Sequence, residues 1–174
     1  LVEVPGGGQS FAGPRDDPFF EGIDLIGVST NMADLKKAVD AYRDVFDHLV
    51  KPVIEAEKPD VVGISIVLQQ QIFSTMTFCA LIKQHFPHIQ LTIGGNTVTR
   101  LRDALPQSPL FQYFDSAVVY EGETAFVQLV SAVGAKRSLA EVPNTIYKDA
   151  TGVHESTTSY AEDMHTLPPP DFDG

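Results

Sequence analysis

Val61-Val62-Gly63-Ile64-Ser65-Ile66-Val67, then Leu91-Thr92-Ile93-Gly94-Gly95, then Ala117-Val118-Val119-Tyr120-Glu121-Gly122-Glu123 are the three runs on which the fold is decided. Each is an apolar stretch of strand length that closes in small or polar residues. Helix-period segments separate them. Strands alternating with helices pair in parallel through right-handed crossovers, which predicts an α/β chain with a doubly wound, mainly parallel sheet. Ligands bind along the carboxyl edge of such a sheet, so the polar ends of the three runs mark the candidate site.

Working outward, Leu35, Ala38/Val39, Tyr42, Val45/Phe46, Leu49/Val50 and Val53/Ile54 recur every three to four residues. They predict one amphipathic helix capped by Asn31 and kinked or restarted at Pro52. A second helix fits Ile72–Phe86, with Ile72, Met76, Cys79, Ile82 and Phe86 inward and Pro87 as its stop. The strand Gln90–Ile93 follows, then a short helix over 97–105 ended by Pro106, a strand over 114–120 and a helix over 124–133 closed by Gly134. Asp149-Ala150-Thr151-Gly152 reads as the turn of a β-hairpin between 144–148 and 153–156. That hairpin either extends a sheet edge or opens a linker. Before all of this, 1–4 and 23–28 read as short strands around a long loop at 9–22. The tail Leu167-Pro168-Pro169-Pro170-Asp171-Phe172-Asp173-Gly174 reads as a linker of polyproline character.

Composition bounds the function. A chain of 174 residues suits one domain with an appendage, and 43% hydrophobic content is enough for a core. The net charge of −11 argues against nucleic acid or an anionic membrane surface as partner. A single cysteine, Cys79, excludes an intrachain disulfide and a cysteine-held zinc or iron–sulfur site. No apolar run has transmembrane length. The first residue is Leu1 and no signal-peptide pattern follows, so a trimmed amino terminus and a cytoplasmic location are the expectations.

Among residues that carry chemistry, Gly94-Gly95-Asn96 at a strand-to-helix junction suits either a close ligand or a tight turn. Ser65 at a strand end is either a ligand donor or a satisfied hydroxyl. Gln69-Gln70-Gln71 either line a polar pocket or form a solvated first turn. Glu121 and Glu123 flank Gly122 at a helix start, where capping is the plain reading. His48 and His85 are expected at the surface and Cys79 in the core. No phosphate-binding Walker loop, nucleophile elbow or histidine pair at metal spacing occurs. No catalytic residue and no metal ligand is assigned.

Pro59-Asp60-Val61-Val62-Gly63-Ile64-Ser65, Gly94-Gly95 and Glu121-Gly122-Glu123, in this order and spacing, resemble the cobalamin-binding domain that precedes the catalytic domain of many radical S-adenosylmethionine enzymes. Val142-Pro143-Asn144-Thr145-Ile146-Tyr147-Lys148-Asp149 with Gly152-Val153 is similar to that family's hairpin. Leu167-Pro168-Pro169-Pro170-Asp171-Phe172 is similar to its linker, and Leu1-Val2-Glu3-Val4-Pro5 to its opening strand. The resemblance implies a flavodoxin-like, Rossmann-like fold over residues 1–140, with a hairpin and linker over 141–174 leading to a missing carboxyl-terminal radical domain. It implies cobalamin as cofactor, its tail approached by Ser65, Ile66, Val67, Gly94, Gly95, Asn96, Tyr120, Glu121 and Gly122. S-adenosylmethionine and a [4Fe-4S] cluster would belong to the missing domain, with methyl transfer or related radical chemistry, and this chain alone would not turn over.

Three departures stand out. Tyr120 replaces the first glycine of the family's Gly-Glu-Gly-Glu turn. The Asp-x-His-x-x-Gly motif is absent, Asp163-Met164-His165 lacking its glycine. The Cys-x-x-x-Cys-x-x-Cys motif is absent. The first two favour an alternative: a degenerate scaffold that docks substrate or partner without cobalamin. A receiver or flavin domain fits less well, because the acidic pair and a proper phosphate loop are missing.

Overall fold

The computed structural model describes residues 40, 42–163, 165, 167 and 168. The segments at 1–4, 9–22 and 23–28, the Asn31 cap and the tail from 169 lie outside the described residues.

A π-helical turn, Phe46–Val50, runs into α1, Lys51–Glu57. Then come β1 (Val61–Ser65), α2 (Gln71–His85), β2 (Gln90–Gly94), α3 (Asn96–Leu101), two 3₁₀ turns (Leu105–Gln107 and Pro109–Gln112), β3 (Ser116–Val118), α4 (Glu123–Gly134), β4 (Thr145–Asp149) and β5 (Gly152–Glu155). The five strands form one sheet in sequence order. β1, β2 and β3 are parallel, and β4 and β5 add antiparallel beyond β3. The expected α/β, mainly parallel sheet is therefore present, and the hairpin extends its edge.

Register sorts the strands into two faces. Val62 and Ile64 align with Leu91 and Ile93, then Ala117 and Ile146. That face packs under α2, α3, the π turn and both 3₁₀ turns, in a core containing Phe46, Met76, Leu81, Ile82, Val98, Leu110 and Phe114. The opposite face carries Gly63, Thr92 and Ser116, then Ser65, Gly94 and Val118. Only α4 packs there among the described helices, through Ala125, Leu129 and Ala132 against Val118, Leu139 and Val142. One face is large and apolar, and the other is lined by small residues and partly covered.

Local departures from the sequence reading have physical causes. In the first helical stretch the inward residues are Tyr42, Phe46, Val50 and Ile54, while Val45, Leu49 and Val53 are exposed. A stripe repeating every four residues drifts around an ideal 3.6-residue helix, and the π turn ahead of Pro52 reduces that drift. Lys51 N–H reaches back to Phe46 O, and Pro52, which has no N–H to give, falls in the first turn of α1. The helix predicted over 97–105 stops at Leu101, and Pro106 lies within a 3₁₀ turn instead of ending a helix. β3 is only Ser116–Val118, because Leu110, Phe111 and Phe114 fill the core from 3₁₀ and loop backbone.

Cys79 is buried, and burial foremost, with the Asp115 carboxylate adding to it, pushes its thiol up to about 12. It is a core residue and no nucleophile at neutral pH. His85 is not the surface residue expected. Its ring lies against Phe46 and Phe86, with centroids 5.2 and 6.3 Å away, and its Nε2 is buried without a hydrogen-bond partner among the described residues. Asp115 anchors the amino ends of the strands, accepting from Leu91 N–H at 2.7 Å and pairing with Lys83 at 2.6 Å.

The hairpin turn is held by Asp149, whose Oδ1 accepts from the Thr151 hydroxyl at 2.6 Å and the Thr151 N–H at 2.7 Å, with His154 Nε2 at 3.1 Å. These bonds, the Thr151 hydroxyl first, lower the Asp149 pKa from 3.8 to about 2. A depressed folded-state value means that the stabilisation is present above the unfolded value and is lost as pH falls through the folded one. The stability difference between wild type and Asp149→Asn should therefore shrink as pH falls from 3.8 to about 2, measured by urea unfolding across pH. A difference that does not change across that window would show that the carboxylate charge is not what holds the turn.

Candidate functional site

The partly covered face holds a cavity of about 470 Å³ at the carboxyl ends of β1, β2 and β3. That is within the range of small-molecule sites. Its floor is Gly63, Thr92 and Gly94 with Val118 beside them, its mouth carries Ser65, Gly95, Tyr120, Gly122 and Glu123, and Phe126 of α4 closes one side. The Phe126 ring lies 3.1 Å from where a Cβ on Gly63 would stand, and a Cβ on Gly94 would face Val118 O at 3.4 Å. Bare backbone at these two positions leaves the space open.

The two loops above the floor are stitched together. Ile66 N–H donates to Gly94 O at 2.7 Å, Thr97 N–H to Ile66 O at 3.1 Å and the Thr97 hydroxyl to Val67 O at 2.9 Å. Gly95 sits inside this crossing with φ 97°, and a Cβ there would come within 2.8 Å of Ile66 O and 2.9 Å of Ser65 Oγ. Its glycine is required by backbone packing whether or not a ligand binds. Gln71 answers the glutamine question: its Oε1 accepts from Val67 and Leu68 N–H, both at 2.9 Å, so it pins the β1–α2 loop.

Of the nine residues expected at the site, Ser65, Gly94, Gly95, Tyr120 and Gly122 come together around the cavity. Ile66, Val67, Asn96 and Glu121 do not line it. Alternation explains the first of these: Ile66 follows Ser65 and is buried in the main core. Val67 is exposed, and only its carbonyl is tied in, by Thr97. Asn96 and Glu121 are exposed, Asn96 opening α3. Gly63, Thr92, Val118 and Phe126 were not singled out, and the strand register and the seating of α4 bring them in. Glu123, read as a cap, also lines the cavity.

Tyr120 occupies a left-handed backbone position, φ 62°, a conformation that favours glycine. Its N–H donates to Thr99 Oγ1 at 2.8 Å, and the Arg102 guanidinium lies 5.5 Å from its ring centroid. The ring is half exposed at the rim and leaves the cavity open. Helix starts offer fewer free donors than expected: Thr97 N–H is engaged as above, and Thr124 N–H in the first turn of α4 donates to Glu162 Oε1 at 2.6 Å. Asp163 and His165 bond to each other, Oδ1 accepting from the His165 N–H at 3.0 Å. Among the described residues, no group of three or more His, Cys, Asp or Glu is arranged to hold a metal ion, and no helix is long and apolar enough to cross a membrane.

The model of the B12 binding domain family matches residues 26–130, more than half of the chain and all three strand ends that build the cavity. The chain belongs to the B12-binding domain family. The flavodoxin-like fold of that family is the α/β architecture described above. No curated protein matches the chain. Among solved structures, the chain is similar to the radical S-adenosylmethionine methyltransferase TsrM from Kitasatospora setae. With tryptophan substrate and aza-SAM bound, that structure is 16% identical with a TM-score of 0.48, over 68% of this chain and 21% of that one. With cobalamin and a [4Fe-4S] cluster bound, it is 19% identical with a TM-score of 0.45, over 64% and 21%. This B12-binding domain thus spans about a fifth of the length of those chains.

The two adjacent glycines should separate on substitution. Gly95→Ala forces a Cβ against backbone at positive φ and should cost about 1–3 kcal/mol in urea unfolding. Gly94→Ala, in an ordinary strand position, should change stability by no more than about 0.5 kcal/mol. Equal losses in the two variants would contradict this division.

Proposed function

We propose that this domain binds a cobalamin by its nucleotide tail in the cavity over Gly63, Thr92 and Gly94, and presents the corrin to a radical S-adenosylmethionine domain carried by the same polypeptide. The observation that carries the reading is the floor at the strand carboxyl ends, bare at Gly63 and Gly94, within the segment that matches the B12-binding family. A flat heterocycle needs such a floor, and the cavity suits the tail while the larger ring stays outside. At the mouth, Ser65 supplies a hydroxyl. Tyr120, Val67 and Leu68 are exposed apolar side chains on the loops at the strand ends, suited to the edge of a flat macrocycle. Bound cobalamin supplies a cobalt centre that accepts and gives up a methyl group. This chain's residues hold and orient the tail, and Phe126 and Val118 keep water from the floor.

Support for the radical partner is the similarity of the hairpin at 142–153 and of the proline linker at 167–172 to the segments that join these two domains. On this reading residues 1–140 are the cofactor domain and 141–174 the connection, S-adenosylmethionine and the cluster belong to the partner domain, and methyl transfer is the reaction class. A cleft filled from within by the Tyr120 ring or the 69–71 loop would support the scaffold alternative. The Tyr120 ring at the rim and Gln71 turned into its own loop leave that cleft open.

Protein mixed with hydroxocobalamin and desalted should elute with corrinoid absorbance, and calorimetry should register binding. Gly94→Val puts a branched side chain where the tail would lie. Valine is favoured in strands, so this variant should fold and should bind at least about tenfold more weakly. Absence of co-eluting corrinoid together with absence of heat would overturn the reading.

A further inference from the structure

Thr92 is the floor residue that the cavity's shape does not explain. It is 2% exposed, and its Oγ1 is buried with no hydrogen-bond partner among the described residues. Its neighbours in register are Gly63 on one side and Ser116 on the other. Gly63 has no side chain to offer, and the Ser116 hydroxyl already accepts from Gln90 Nε2 at 3.3 Å. Thr92 Cγ2 lies 3.6 Å from the point a Cβ on Gly63 would occupy, so the branch of this side chain sits at the floor. One rotamer step about χ1 carries the hydroxyl to the place the methyl holds there, the methyl moving to that of the β-hydrogen. A buried hydroxyl without a partner is costly, and a valine would fill the same volume without that cost. The other lining residues on β1 and β2 are glycines, isoleucines and Ser65, and Ser65 stands at the mouth, level with Gly94.

We propose that Thr92 selects the tail base of the bound corrinoid, pairing its hydroxyl with a polar ring edge and so favouring a purine tail over dimethylbenzimidazole. The inference rests on the corrinoid reading above. A base enters with the edge farthest from its ribose-bearing nitrogen foremost. In dimethylbenzimidazole that edge is a methylated benzene ring, which would leave Oγ1 unpaired. In adenine it carries ring nitrogens and an amino group, either of which satisfies a hydroxyl that can donate or accept. A site that leaves a buried polar group unpaired discriminates against the ligand responsible, whereas an apolar pocket separates such isosteres weakly.

The test compares three probes on the full chain: adenine-tailed cobamide, hydroxocobalamin and cobinamide, which has no base. Wild type should bind the adenine-tailed form about tenfold or more tightly than hydroxocobalamin. Thr92→Val should erase that ratio by weakening the adenine-tailed form, and Thr92→Ser should retain the ratio. Thr92→Val should also be no less stable than wild type in urea, since it removes an unpaired hydroxyl, which makes misfolding a separate and visible outcome. If hydroxocobalamin binds and wild type shows no preference, or Thr92→Val leaves the preference unchanged, base selection is wrong and the corrinoid site stands. If neither tailed corrinoid binds, the site itself is wrong and this inference falls with it.

Discussion

The crossing of the β1–α2 and β2–α3 loops at Gly95 is the constraint on which the site depends. Ile66 donates to Gly94 O and accepts from Thr97 N–H, so the two strand ends are locked level with each other. The backbones approach so closely that no Cβ fits at Gly95. That lock fixes Ser65 beside Gly94 and holds open the shelf below them. Tyr120 is tied to the same short helix through Thr99, so all three strand ends refer to the first turns of α3. A cavity floored by backbone needs this kind of anchoring, because few side chains there can hold the spacing.

Unequal covering of the sheet then determines where the cavity lies. The face of Val62, Ile64, Leu91, Ile93 and Ala117 lies under several elements and buries the larger core. Burial of that kind dominates the favourable side of folding. The other face carries small side chains, and α4 covers it from Val118 towards the hairpin, reaching β1 with Phe126 at Gly63 and through the cluster on which Val61 packs. Stability is concentrated on one face and free space on the other. The site can therefore keep an unpaired threonine hydroxyl and a left-handed tyrosine, each of which works against folding by an amount that the opposite core tolerates.

Much of this architecture was legible in the residues, for reasons that differ by element. The run at 90–94 was clear because a buried parallel strand needs continuous apolar sequence, and that at 61–65 because its valines and isoleucine make an apolar run of strand length, although β1 is only partly buried. Their polar ends, with that of the third run at 117–123, gave five of the residues that line the cavity. The floor was not legible: Gly63 and Thr92 look like ordinary strand interior until register places them side by side. Phe126 reads as one more apolar position of an amphipathic helix, and only the seating of α4 shows that it ends on Gly63. Ile66 and Val67 were drawn in by adjacency to Ser65, although alternation sends Ile66 to the opposite face. The π turn was visible only in hindsight, as a four-residue spacing of Tyr42, Phe46, Val50 and Ile54.

The exit of the chain is joined to the same rim. After β5 the backbone turns back along 140–145, with Ser156 N–H on Thr145 O and Thr157 N–H on Ala140 O. Asn144, itself left-handed at φ 54°, clamps Tyr160 by donating to its carbonyl at 2.7 Å and accepting from its N–H at 3.0 Å. Two residues on, Glu162 receives the Thr124 N–H, next to Glu123 and Gly122 at the cavity mouth. A carboxylate at a helix amino terminus is favoured by the helix dipole as well as by the hydrogen bond. The segment that leaves this domain is thus fastened by main-chain and charged contacts to the helix that walls the cavity. As far as Glu162, its path is set by the geometry that shapes the mouth.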